Sequence, residues 1–224
     1  MTDVDQCEVN RKLAYNTNVK GVKNVLETCK KIKCKLIFLS TDFLFDGIKK
    51  RGYHYKETDT PNPLNYYAQT KYKAELNIYS SGIEYLICRS AVLYGWNDKK
   101  FNFITWILNN LKKNITISIV TSQINSPTFV VNLAQIILKL IEKNARGIYH
   151  TVGDCVLNRF EMALKCAEIF EYNKNLIIPI ENFEQKAIRP KNAGLSIMKL
   201  KNLLGSTFKI FNLDEGLTYM KHHQ

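Results

Sequence analysis

The chain has 224 residues, 46% of them hydrophobic, and a formal net charge of +12. That length and apolar content suit one folded domain, or one with a small lobe, and exclude a disordered chain. The charge invites a nucleic-acid reading, but the excess is lysine scattered in pairs such as Lys30-Lys31, Lys49-Lys50, Lys99-Lys100 and Lys112-Lys113, with only six arginines for forked contacts to phosphate or guanine.

In chain order, Asp5 to Lys31 predicts one helix with an apolar stripe at Leu13, Val19, Val22, Val25 and Leu26. Lys35 to Leu39 reads as a buried strand, ending on Ser40-Thr41-Asp42. Phe43 to Pro63 is a loop, punctuated by Asp46-Gly47, Gly52 and two prolines. Tyr67 to Tyr79 is helical, and Glu84 to Arg89 is a strand buried on both faces. Phe101 to Lys112 predicts a helix, Thr116 to Val120 a short strand, Val130 to Asn144 an amphipathic helix and Gly147 to Val152 a strand. Arg159 to Tyr172 is a helix capped by Asn158. Leu176 to Ile180 is short and apolar, and Ile197 to Leu204 is a late helix. Strands alternating with helices predict an α/β fold with a parallel sheet.

The cysteines at 7, 29, 34, 88, 155 and 166 form no Cys-x-x-Cys and have no histidine cluster beside them. A metal or disulfide framework is not expected; free thiols in a cytoplasmic protein are. No apolar run reaches membrane-spanning length, so a membrane is not an expected partner.

The chemistry is concentrated around Tyr67 and Lys71. One helical turn separates residues i and i+4, so the two share a face. A hydroxyl at a strand end, here Thr41, together with Tyr-x-x-x-Lys on the next helix can protonate a carbonyl that receives hydride. The Lys71 ammonium is expected to lower the Tyr67 pKa toward neutrality. Trp96 and Trp106 read as packing residues, and His54 and His150, with no partner at catalytic spacing, as structural ones.

The ordered landmarks resemble the extended short-chain dehydrogenase/reductases, and among them the dTDP-4-dehydrorhamnose reductase group. Leu39-Ser40-Thr41-Asp42-Phe43-Leu44-Phe45-Asp46-Gly47 is similar to that group's Ser-Thr-Asp-Tyr-Val-Phe-Asp-Gly signature. Thr2 to Glu8, Ala14 to Gly21, Arg89 through Tyr94-Gly95, Asn102-Phe103, Gln123 with Pro127-Thr128, and Arg189-Pro190 with Leu195-Ser196 continue the likeness.

The resemblance implies a Rossmann-type parallel sheet over residues 1–120. A substrate lobe would occupy 121–224, with 129–152 returning to the sheet. It implies NADP or NAD as cofactor, a 4-keto-6-deoxy nucleotide-sugar as substrate, and Thr41, Tyr67 and Lys71 as catalytic residues. Tyr67, Lys71, Ser40 and Ser90 would hold the cofactor. Asp42, Phe43, Asn102, Gln123 and Arg189 would hold the substrate, with Asn125 beside Gln123 facing the sugar. Phe43 replaces the group's usual tyrosine, and Val92 stands where bacterial members often have tryptophan. The group opens with Gly-x-x-Gly-x-x-Gly after a strand; here the first glycine is Gly21, inside a helix. The expectation is therefore a chain lacking about 60 residues of the family fold, with very weak NAD(P)H binding and no measurable turnover. The alternative is a non-catalytic NADP-binding regulatory subunit resembling the methionine adenosyltransferase β subunit. A second copy or a partner subunit is compatible with either.

Overall fold

The computed structural model describes residues 1–97 and 99–223. The expected first helix is broken into pieces: α1 (Val4–Val9), α2 (Arg11–Tyr15), a π-helical turn Asn16–Lys20, and α3 (Gly21–Ile32). Asp3 caps α1 by accepting from the Gln6 amide, and Asn10 leaves helical geometry with ψ 54°. The π turn coincides with buried Asn18, whose Nδ2 donates to Thr70 Oγ1 at 3.0 Å. An internal hydrogen bond thus replaces part of the apolar stripe. Leu13 and Val25 are exposed at 58% and 47%, and Cys7, Ala14 and Cys29 are buried in their stead. The expected stripe is corrected accordingly.

Three strands form the main sheet: β1 (Leu36–Thr41), β2 (Tyr85–Ser90) and, later in the chain, Gly147–His150. Both pairings are parallel, with Ser40, Arg89 and His150 in one lateral row. Between β1 and β2 runs α4 (Tyr66–Tyr79), capped by Asn65, whose side chain accepts from the Ala68 amide at 2.9 Å. Small buried residues Ala68 and Ala74 let α4 lie close to the sheet, and Ile78 joins Leu26 of α3 and Ile87 of β2 in a core cluster. β2 is central, with Leu86, Ile87 and Cys88 fully buried, as a doubly covered strand requires. β1 is one of the two edge strands and departs from the buried reading: Ile37 and Leu39, which alternate away from α4, are 36% and 44% exposed.

The rest of the chain builds a second layer. β3 (Leu93–Tyr94) leads to α5 (Phe103–Lys112), then β4 (Ile117–Val120), β5 (Ile124–Asn125) and β6 (Thr128–Phe129). α6 (Val130–Glu142) precedes β7, the Gly147–His150 strand, and its Ile136 and Leu140 pack with Leu86 and Cys88 on the sheet face opposite α4. β8 (Leu157–Asn158), α7 (Arg159–Ile169), β9 (Ile177–Ile180), α8 (Met198–Leu204) and α9 (Leu213–His222) follow. β4 and β9 pair in parallel. α5, α7 and α9 close over a separate apolar cluster that includes Ile104, Ile107, Met162, Cys166 and Leu217. None of the helices among the described residues is long and apolar enough to cross a membrane.

Candidate active site

The carboxyl end of β1 is the place where ligands of open α/β sheets sit. Ser40, Thr41 and Asp42 are all buried there. Thr41 turns the chain into a short 3₁₀ segment, Asp42–Leu44, its hydroxyl accepting from the Phe43 amide at 3.2 Å. Asp42 accepts from Asn125 Nδ2 at 2.7 Å and from the Thr41 hydroxyl at 3.2 Å. Burial pushes its carboxyl up to about 6, against the Asn125 hydrogen bond, the Arg159 charge and the Thr41 hydroxyl, which favour the anion. Asn125 therefore faces Asp42, and its Oδ1 has no partner among the described residues.

α4 brings Tyr67 to this strand end. Its ring meets Phe43 edge-on, with centroids 6.5 Å apart. Burial raises the phenol to about 12, while the Thr41 hydroxyl pulls the other way. Lys71 sits one turn along and donates to the Leu39 carbonyl at 2.6 Å, with its ammonium 4.0 Å from the centre of the Phe38 ring. Burial lowers Lys71 to about 8, opposed by the Glu75 charge. The expectation that Lys71 draws the Tyr67 pKa toward neutrality is thus corrected, because desolvation governs both groups and Lys71 is engaged with β1. Behind Lys71, Glu75 is held by a buried two-point pair with Arg89 at 3.1 and 2.7 Å.

Ser90 donates to the Ser40 carbonyl at 3.2 Å and joins β2 to β1. The Ser40 hydroxyl is buried without a partner among the described residues. That leaves one unclaimed hydroxyl beside Thr41 at the end of β1.

A cavity of about 650 Å³ opens beside Phe43 and continues between α5, β4 and the segment around 183–189. Phe103, Trp106, Gln123, Arg159 and Arg189 are in its wall, which among the described residues holds no carboxylate. Gln123 donates to Gln185 at 2.8 Å across it. Arg189 is less free than expected: both terminal nitrogens donate to Asp5 at 2.8 Å, and Nη1 also donates to the Ala187 carbonyl. The Arg189 fork and a backbone amide hold Asp5 below the ordinary carboxylate range, against its partial burial. Asn102 is a correction of another kind. It is the cap of α5, accepting from the Thr105 amide and donating to the Gly95 carbonyl, so its amide is used within the fold. Trp106, read as packing, is 38% exposed in the cavity wall. His150 is structural as read: it is fully buried, its Nδ1 lies 3.1 Å from the Ser196 carbonyl, and burial drives it down to about 3.

Sequence reasoning missed Arg159. The sequence marks it only as the start of a helix, yet it is in the cavity wall with its guanidinium 4.5 Å from the centre of the Phe103 ring. The available signal was a cation at the first helical position, where the helix end disfavours positive charge.

Comparison with known proteins gives a consistent picture. The family model described as "RmlD substrate binding domain" matches residues 1–220. A dTDP-4-dehydrorhamnose reductase of Aggregatibacter actinomycetemcomitans is 28% identical over 217 residues, covering 91% of this chain and 72% of the relative. The methionine adenosyltransferase 2 subunit beta of Rattus norvegicus is 30% identical over 207 residues, covering 89% of this chain and 61% of that relative's length. Among solved structures, the dTDP-4-dehydrorhamnose reductase of Bacillus anthracis in complex with NADP superposes with a TM-score of 0.91 at 31% identity, over 100% of this chain and 78% of that one.

Proposed function

The chain belongs to the RmlD substrate binding domain family, and on that premise we propose that it serves the NADPH-dependent reduction of a 4-keto-6-deoxy nucleotide-sugar. The observation that carries the reading is the arrangement at the end of β1. Thr41, Tyr67 and Lys71 stand on two adjoining elements, and Phe43 links them to a cation-bearing, aromatic-walled cavity. The fold that carries this arrangement superposes on the NADP-bound reductase structure with a TM-score of 0.91, which supports the reading.

Ser40, Tyr67 and Lys71 would hold the nicotinamide end of NADPH, whose chemistry is delivery of hydride to the carbonyl carbon. With a pKa near 12, Tyr67 keeps its proton at neutral pH and has one to give to the sugar oxygen. Thr41 orients that oxygen by hydrogen bonding. Lys71, cationic below about pH 8 and donating to the Leu39 carbonyl, would reach the nicotinamide ribose from the end of β1. Asp42 and Gln123 would read the sugar, and the cavity beyond Phe43 would take the nucleotide. Free thiols at all six cysteines suit a reducing, cytoplasmic setting.

Two measurements test this reading. Calorimetric titration with a dTDP-sugar should show binding, and NADPH oxidation on adding dTDP-4-dehydrorhamnose should follow absorbance loss. A protein that binds no nucleotide-sugar and oxidises no NADPH with it fails the proposal. The likeness to the methionine adenosyltransferase subunit supports a second reading, a non-catalytic partner subunit. Nucleotide binding without turnover, alongside complex formation with a second protein, would favour it.

A further inference from the structure

We propose that Arg159, and not Arg189, is the anion receptor of the cavity, its guanidinium taking the diphosphate of the bound nucleotide-sugar. The identity of the ligand rests on the reductase reading above; the assignment of the residue does not. Two guanidiniums reach this cavity, and they differ in how much of their hydrogen bonding is already used. Arg189 is committed to the Asp5 carboxylate through both terminal nitrogens and to the Ala187 carbonyl. Its charge is neutralised where it stands. Arg159 makes no side-chain hydrogen bond or ion pair with the described residues. Asp42 acts on it only through space.

The position of Arg159 is costly for a cation in two respects. It is the first residue of α7, where the helix end carries partial positive charge. Burial lowers its pKa to about 10. The cap of the helix is supplied by Asn158 and Glu161, so Arg159 adds nothing to it. Its guanidinium lies 4.5 Å from the centre of the Phe103 ring, a contact that uses none of its N–H donors in hydrogen bonds. A bidentate fork matches a pair of phosphate oxygens. An anion docked there would relieve both the desolvated cation and the helix end. Phe103 and Trp106 share the wall and offer aromatic surface suited to a base, and among the described residues the wall holds no carboxylate that would repel a diphosphate.

The test is calorimetric titration of the wild type, Arg159→Gln and Arg159→Lys with dTDP, thymidine and inorganic pyrophosphate. Arg159→Gln should weaken dTDP and pyrophosphate by about 10- to 100-fold, the worth of charge-assisted hydrogen bonds, and leave thymidine within about twofold. Arg159→Lys keeps the charge without the fork and should fall between; it carries the test if Arg159→Gln fails to fold by circular dichroism. Unchanged dTDP binding in a folded variant would overturn the assignment while leaving the reductase reading intact. Pyrophosphate binding lost with Arg159, in a wild type that ignores dTDP, would keep the assignment and remove the nucleotide-sugar reading. A wild type that binds neither anion overturns the inference.

Discussion

Lys71 donates to the carbonyl oxygen of Leu39 at 2.6 Å, so the ammonium on α4 is anchored to β1 rather than to the phenol one turn earlier. Burial brings it down to about 8 from its ordinary 10.5. The unfolded chain therefore holds this proton up to about pH 10.5, but the folded chain only up to about pH 8. More protons are bound in the unfolded state between these values, so the contribution of Lys71 to stability rises with pH across that window and is least favourable below it. Lys71→Met should accordingly look better, relative to wild type, at pH 7 than at pH 10, by about 1–2 kcal/mol. Urea melts of both proteins at both pH values measure it; the same difference at each pH would contradict the desolvation account.

Tyr67→Phe removes the phenolic proton at the Thr41 end of the strand while keeping the edge-on contact with Phe43. In the reductase assay turnover should drop by about 10²–10⁴-fold, the usual worth of a positioned general acid. NADPH affinity should change little, since the lost interaction is needed mainly in the transition state. Wild-type turnover in Tyr67→Phe would eliminate it as the acid.

Glu75 and Arg89 have side chains 4% and 3% exposed and bond each other at two points. Removing one partner strands the other charge in a dry interior. Glu75→Gln or Arg89→Ala should cost about 3–5 kcal/mol, whereas an apolar double replacement such as Glu75→Leu with Arg89→Met should cost much less. Chemical denaturation of the single and double variants distinguishes a structural ion pair from an idle one.

Gly216 lies inside α9, where helix propensity alone favours alanine by about 1 kcal/mol. Packing reverses the sign. An added Cβ would come within 2.0 Å of the Tyr94 hydroxyl oxygen and 3.1 Å of Phe129 Cβ, both buried. Gly216→Ala should therefore destabilise by about 1–3 kcal/mol as an overpacked core does. A rise in melting temperature would show that Tyr94 can move aside.

The parts of the fold that were legible are those where one local signal dominates. The unbroken apolar row Tyr85 to Cys88 marks a strand covered on both faces, and β2 is that strand. Asn65 before the Tyr67 helix and Asn158 before the Arg159 helix both act as caps. The misses come from tertiary effects. The first helix reads as one amphipathic piece, but buried Asn18 finds its partner on α4, beyond any local window. α9 was overlooked although Asn212 and Glu215 form a reciprocal cap, because its buried line includes Gly216 and gives a thin apolar stripe. At the site, Thr41 and Tyr67 were legible as a pattern. The commitment of Arg189 to Asp5 was not, since no spacing rule joins residues that far apart in sequence.

That clasp has a kinetic consequence. Asp5 and Arg189 are 184 positions apart, so their contact closes only after the segments between them have been brought together. We expect the contact to form late, after the transition state for folding. Asp5→Asn should leave the refolding arm of a chevron plot where it is and raise the unfolding arm, shortening the lifetime of the native state without slowing its formation. The pair is a latch on a door that has already swung shut.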